Sequence, residues 1–266
     1  MEWREREGVP WLEAALPGGR AVFSTRQGGV STGPFASLNL GWVTDDEPEH
    51  VYENRRHLAR GAEFEPANAL TGFQVHGTDT LRHTERPAGV PYLRPPNDPP
   101  EADGHATSVH GLAPLVLVAD CLPVALSGPA GVAMLHCGWR GLAAGIVEAG
   151  VREVGATAAA VGPGIGPCCF EVGDEVLAQF AHLGDGIADG RMMDLPEITE
   201  RLLRAAGVEA VERADLCTSC NPELFFSHRR DAGETGRQAG VVINISGLSN
   251  GRDRLRPSGS ASQWPS

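Results

Sequence analysis

The chain has 266 residues, 41% hydrophobic and 21% charged, enough to bury a sizeable core without disulfides or a structural metal. Its formal net charge of -12 argues against nucleic acid as a partner, because a phosphate backbone selects a basic surface. All 22 basic residues are Arg, which excludes a Schiff-base lysine, pyridoxal-phosphate chemistry and a P-loop lysine. An anionic substrate group must therefore meet Arg, backbone N–H groups or a metal.

No apolar run reaches the length of a bilayer span, and the N-terminal MEWREREGVPW lacks the apolar core of a signal peptide. The expectation is a cytoplasmic protein with no membrane partner. Six Cys are too sparse for a disulfide scaffold and read as thiols, ligands or nucleophiles.

In chain order, RAVFST at 20–25 predicts a strand, and the segment through Gly41 is rich in turn residues. Residues 45–62 predict a helix, with Asp45 and Asp46 as N-cap candidates and Val51 and Leu58 on one face. Residues 69–76 and 78–83 read as strands flanking a turn at His76-Gly77. RPAGVPYLRPPNDPPE at 86–101 contains six Pro and reads as an irregular surface loop. Strands at 112–120 and 131–136 lead into Cys121 and His136, and CGWRG opens a helix at about 142–154. A strand at 157–162, helices at 173–183 and 196–206, and strands at 208–217 and 239–245 follow. The tail from 249 has no apolar periodicity and reads as disordered, leaving 1–248 as one catalytic domain. Several strand connections are too short for helical crossovers. The expected fold class is therefore α+β: a layered α/β/α-type domain with mixed, largely antiparallel sheets.

Zinc accepts imidazole nitrogen and thiolate sulfur, and a catalytic site keeps three protein ligands with one open position. His76 in a turn, Cys121 at a strand end and His136 at the end of the next strand are candidates for such a set. Their spacing matches no short zinc signature. The ordinary alternatives are a buried thiol at Cys121, a turn cap at His76 and a satisfied core histidine at His136. The pairs Cys168-Cys169 and Cys217/Cys220 read as ordinary thiols. Adjacent cysteines chelate poorly, and Asn221-Pro222 argues against a redox helix after the C-x-x-C. Arg26, Arg140, Arg229 and Arg230 lie in turns or short motifs, where guanidinium can bind phosphate or carboxylate in bidentate fashion.

The ordered segments STRQGGVS, SLNLG, QVHG, ADGHAT, LVLVADCLPVAL, AMLHCGWRG, VGPGIGPCCFEVG and CTSCNPELFFSHRRD together resemble the YfiH family. This is the laccase-domain or multicopper polyphenol oxidase group, regarded as purine nucleoside phosphorylases. The resemblance covers about 20–245. It implies a layered fold like that of the cysteine hydrolases that include cytotoxic necrotising factor. It also implies zinc held by His76, Cys121 and His136, with copper as the alternative ion. The implied activity is phosphorolysis of adenosine, inosine, guanosine and methylthioadenosine, together with adenosine deamination. The implied partners are a purine nucleoside and phosphate, and a monomer is permitted. Within the matching segments, Arg26, Asn39, Gln74, Arg140 and Arg229 are expected to bind substrate. Phe226 departs from the pattern, since Tyr is expected before SHRRD. Three other readings stand beside this one: a Cys-His amidase acting on a cell-wall precursor, a copper polyphenol oxidoreductase, and a non-enzymatic metal- or nucleoside-binding module. A laccase needs a multi-histidine cluster, and nine His without an H-x-H pair fit that poorly.

Overall fold

Two six-stranded sheets face each other, and helices cover their outer faces. The computed structural model describes residues 1–247, and the tail expected to be disordered lies outside the described residues. In chain order the strands are β1 (Glu2–Arg6), β2 (Val9–Leu16), β3 (Gly19–Ser24), β4 (Ala69–Leu70), β5 (Thr80–His83), β6 (Gly104–Thr107), β7 (Ala113–Val118), β8 (Leu122–Gly128), β9 (Gly131–Cys137), β10 (Ala158–Val161), β11 (Ala188–Asp189), β12 (Met192–Met193), β13 (Ala210–Arg213) and β14 (Gln238–Asn244). The helices are α1 (Pro48–Gly61), α2 (Trp139–Ala144), α3 (Ile146–Val154), α4 (Asp174–Phe180) and α5 (Leu195–Ala205). One sheet runs β1-β2-β3-β14-β7-β4, the other β13-β10-β8-β9-β6-β5, and β11 and β12 form a small ribbon. Most pairs are antiparallel; β4–β7, β5–β6 and β10–β13 are parallel. The α+β class with mixed sheets is thus as expected, with the sheet layer doubled.

The central strands are buried on both faces, which is why they read as apolar runs rather than as alternating strands. Along β14, Val242 packs between the sheets while Ala239, Val241 and Ile243 meet the outer layer. Along β9, Val132 and Met134 point between the sheets, and Ala133, Leu135 and Cys137 meet the helices. Leu58 and Ala59 of α1 cover the first sheet. Val147 and Val151 of α3 and Ile198, Leu202 and Leu203 of α5 cover the second.

Several elements differ from the sequence expectation. β1 and β2 form a hairpin that the charged pattern EWRER obscures. The expected strand at 69–76 stops at Leu70, because the amides of 75–77 bond a side chain instead of a ladder. The helix expected at 142–154 is two helices, broken at Gly145 with φ 97°. The helix α1 starts after Glu47; the Asp46 carboxylate accepts from Ser31 and Asn39. The Pro-rich segment is irregular as expected, but Tyr92 within it is fully buried against Phe64. Among the described residues no helix is long and apolar enough to cross a membrane.

The core holds one titratable ring with a clear pH consequence. His105 on β6 has 0% exposure, and its Nδ1 lies 3.1 Å from His83 Nε2. Burial, with the neighbouring His83 ring, lowers its pKa from 6.5 to about 3. Between these values the unfolded chain binds a proton that the folded chain refuses, so stability falls as pH falls. The expected loss is up to about 1.4 kcal/mol per pH unit through this window. Chemical denaturation of wild type and His105→Asn between pH 7 and pH 4 checks this. The variant has the flatter profile; parallel profiles would count against the assignment.

Candidate metal centre and active-site cleft

The site lies where the chain crosses between the two sheets. β4 belongs to the first sheet and β5 to the second, and His76 sits in the connection. β7 belongs to the first sheet and β8 to the second, and Cys121 sits in that connection. His136 lies on β9, paired with Pro123 of β8. The antiparallel register of β8 and β9 therefore brings Cys121 beside His136. One ligand atom from each of His76, Cys121 and His136 lies within 4.8 Å of the other two. All three predicted ligands converge.

Two backbone positions are forced to achieve this. His76 has φ 61° and Asp120 has φ 89°, both in the left-handed region that non-glycine residues enter at a cost. Asp120 is held there by three bonds. Its Oδ1 accepts from the Thr218 hydroxyl at 2.6 Å, its Oδ2 from the Arg229 amide at 2.7 Å, and its carbonyl from the Ile165 amide at 2.8 Å. The His76 turn is held by Asp103. The Asp103 carboxylate accepts from the amides of Val75, His76 and Gly77 at 3.1, 2.9 and 2.7 Å. Its Oδ1 also accepts from His136 Nδ1 at 2.7 Å. That bond protonates Nδ1 and leaves Nε2 as the lone-pair nitrogen for a metal. A Cβ at Gly138 would stand 2.8 Å from Cys121 Sγ and 3.1 Å from His76 Cδ2, so only glycine fits beside the donor set.

Without an ion the electrostatics favour a thiolate–imidazolium pair, whose Nε2 proton a metal would displace. Burial raises the Cys121 pKa, but the His136 and His76 rings outweigh it and bring the thiol down to about 6. Burial alone would lower His136; the Cys121 thiolate and Asp103 instead raise it to about 9. Burial raises Asp103, and the bonds from His136, Gly77 and Val75 reverse this to about 2. Two imidazoles, a thiolate and a carboxylate behind one ring suit zinc, and the same donors suit copper. Among the described residues no multi-histidine cluster accompanies them.

The centre opens into a cleft of about 540 Å³, walled by Trp42, Phe73, Trp139 and Phe170 and edged by Arg140, Arg229 and Arg237. Arg140 is exposed, with its guanidinium 4.5 Å from the centroid of the Trp139 ring. Arg229 is anchored by a 2.9 Å bond from Nη1 to the Glu171 carbonyl. Gln74 lines the cleft, but its amide is engaged with the Leu117 backbone at 2.7 and 2.8 Å. Asn39 is fully buried and acts one layer back. It accepts from the amides of Gly41 and Arg237 at 2.9 Å and so shapes the rim. Arg26 is not brought to the cleft. It donates to the carbonyls of Ala36 and Pro222 and stacks on Phe226. Phe226 is buried under that guanidinium, so the missing Tyr hydroxyl faces no cleft.

Sequence reasoning missed Asp103, Asp120 and Arg237. Asp103 lies inside the quoted ADGHAT segment, and Asp120 directly precedes Cys121. Each is an Asp beside Gly or a ligand at a strand end, which is the available signal. Arg237 carried none.

Comparison with known proteins bears on this geometry. The family model described as multi-copper polyphenol oxidoreductase laccase matches residues 20–244. The purine nucleoside phosphorylase YfiH of Escherichia coli (strain K12) is 39% identical over 256 residues, 91% of this chain and 96% of that protein. The purine nucleoside phosphorylase YlmD of Geobacillus stearothermophilus is 35% identical, covering 90% of this chain and 96% of that one. The crystal structure of Geobacillus stearothermophilus YlmD superposes with a TM-score of 0.82 at 36% identity, covering 91% of this chain and 97% of that one. Bacillus licheniformis YfiH, described as a hypothetical protein, gives 0.79 at 31% identity over 91% and 98%. With the same fold as these proteins and a model match across most of its length, the chain belongs to the YfiH-type multi-copper polyphenol oxidoreductase laccase family.

Proposed function

We propose that this protein is a zinc-dependent purine nucleoside phosphorylase, using phosphate to convert adenosine, inosine, guanosine or methylthioadenosine to free base and ribose 1-phosphate. Adenosine deamination is a second reaction of the same cleft. The observation that carries the reading is one cleft holding three things: a His-Cys-His donor set, an aromatic wall and three arginines. Relatives named purine nucleoside phosphorylase, aligned over nine-tenths of the chain, support it.

His76, Cys121 and His136 would hold the ion, which supplies a Lewis acid at the cleft floor when bound. The exposed Phe73 and the partly buried Trp42 offer aromatic surface to a purine, since stacking needs no specific polar match. Phosphate needs fixed donors. Arg229 and Arg237 each use part of the guanidinium on backbone carbonyls, which orients the remainder. Arg140 makes no ion pair among the described residues, so its charge is available to an anion at the cleft edge. Holding phosphate and the glycosidic carbon together converts a bimolecular displacement into an intramolecular one. The purine leaves with the bonding electron pair and takes up a proton from the cleft or solvent.

One arrangement favours a second reading, a Cys-His hydrolase. Cys121, His136 and Asp103 stand in the order nucleophile, base and orienting carboxylate. A hydrolase of this kind forms an acyl-enzyme on Cys121 and works without metal.

Three measurements decide. Exhaustive chelation abolishes ribose 1-phosphate release from adenosine and phosphate, and added zinc restores it. Full ribose 1-phosphate release by metal-free protein would remove the metal from the reaction, and an acyl adduct on Cys121 by mass spectrometry would select the hydrolase. Asp103→Asn weakens zinc about 10- to 100-fold in a competition titration, as outer carboxylates do when they orient a ligand. Unchanged affinity would show that Asp103 serves the turn alone. Arg140→Gln raises KM for phosphate about tenfold with little change in kcat, the worth of one charge-assisted hydrogen bond; a loss confined to kcat would remove Arg140 from phosphate binding.

A further inference from the structure

The four cysteines read from sequence as ordinary thiols come together. Cys168 and Cys169 lie on one loop, Cys217 and Cys220 on another, and one Sγ from each lies within 4.8 Å of the other three. Cys220 Sγ is 3.3 Å from Cys168 Sγ and 3.4 Å from Cys169 Sγ. Zinc–thiolate bonds of about 2.3 Å make a tetrahedron with edges of about 3.8 Å, so the sulfurs already stand near that spacing. None of the four is in a disulfide.

Adjacent cysteines converge here because their loop is a turn. The amides of Cys169 and Phe170 both donate to the Gly166 carbonyl, at 3.0 and 3.1 Å, so the chain curls and the two side chains do not alternate as in a strand. The partner loop is zipped to the first by bonds from the Thr218 amide to the Gly164 carbonyl and from the Gly164 amide to Leu216. The Gly166 amide donates to Cys217 Sγ at 3.3 Å, and a Cβ at Gly166 would crowd the Cys217 Cβ at 3.3 Å. A backbone N–H aimed at a sulfur is the outer support that a thiolate ligand needs. Cys168 and Cys220 are exposed, which gives a cation an entry path.

We propose that Cys168, Cys169, Cys217 and Cys220 form a second metal site, a four-thiolate cage that takes one zinc ion and fastens the two loops together. Four protein ligands leave no open position, so the role is structural. Binding displaces the thiol protons to solvent and involves no change of oxidation state. The cage braces the cleft from behind. Thr218, inside the second loop, and the Arg229 amide hold the Asp120 carboxylate, and the Arg229 guanidinium bonds the Glu171 carbonyl beyond the first loop.

The test counts metal and leaves activity aside, so its outcome is independent of the phosphorylase reading. Full-length protein purified under reducing conditions without added copper is analysed for zinc. Wild type carries two zinc per chain. Cys121→Ser loses one, and Cys217→Ser/Cys220→Ser loses the other. In the Cys121→Ser protein, cobalt(II) gives an intense sulfur-to-metal charge-transfer band and tetrahedral d–d bands. There, zinc also protects the four thiols from alkylation. These last two readouts need no change in the cage and stand even if the double variant fails to fold. A Cys121→Ser protein that holds no zinc and gives no cobalt–thiolate spectrum would overturn the proposal, as would a disulfide among these cysteines in peptide mapping.

Discussion

Asp103 is the joint on which the site depends. Its carboxylate gathers three consecutive backbone amides and one imidazole nitrogen, and it has no solvent exposure. Burying a carboxylate is costly unless its lone pairs are filled, and here every partner is also a part of the site. The amides give the His76 turn its shape. The bond from Nδ1 to the Asp103 carboxylate gives His136 its tautomer. A single side chain thus sets the backbone of one candidate ligand and the orientation of another, and the strand pairing of β6 with β9 places it there.

Asp120 does the same work for the third candidate ligand, Cys121. It stands in a costly backbone conformation, and its carboxylate and carbonyl are bonded to three separate segments. Both acids act through backbone shape, Asp103 from behind the cleft and Asp120 from within its lining. The arginines follow a similar rule. Arg229 and Arg237 are tied to carbonyls before any substrate arrives, which suits a chain that has no lysine and must place its positive charge by anchoring guanidinium.

Much of the fold was legible where apolar runs were long: β7, β9, β10 and β14, and the helices α1 and α5, fall within a few residues of their expected spans. The failures share a physical cause. β1 is an edge strand in which Glu and Arg flank a single Trp, β8 opens Leu-Pro, and β6 is a four-residue strand carrying His105; none shows the period on which strand reading rests. The three candidate ligands were legible as residue types at strand ends, and the family's ordered motifs singled them out. Asp103 was not, because its value comes from hydrogen-bond partners 26 to 33 positions away. Arg26 was misplaced because a Gly-rich turn looks the same whether it faces a ligand or the protein's own carbonyls. The cysteine cage was missed because adjacent side chains converge only when the backbone turns, and no spacing rule carries that.

The placement of His76 and Cys121 has a consequence for how the molecule tolerates change. Both sit on the bridges that carry the chain from one sheet to the other, and Cys121 packs against the apolar layer between the sheets. That gap is filled by Phe23, Val116, Val132 and Met134, in a layer that also includes Val118 and packs against Cys121. Interiors are close-packed and pass strain along rather than absorb it. An enlarged or trimmed side chain in that layer will therefore shift the spacing of His76, Cys121 and His136. The geometry of this donor set is therefore tied to the hydrophobic filling between the sheets as well as to the donors themselves.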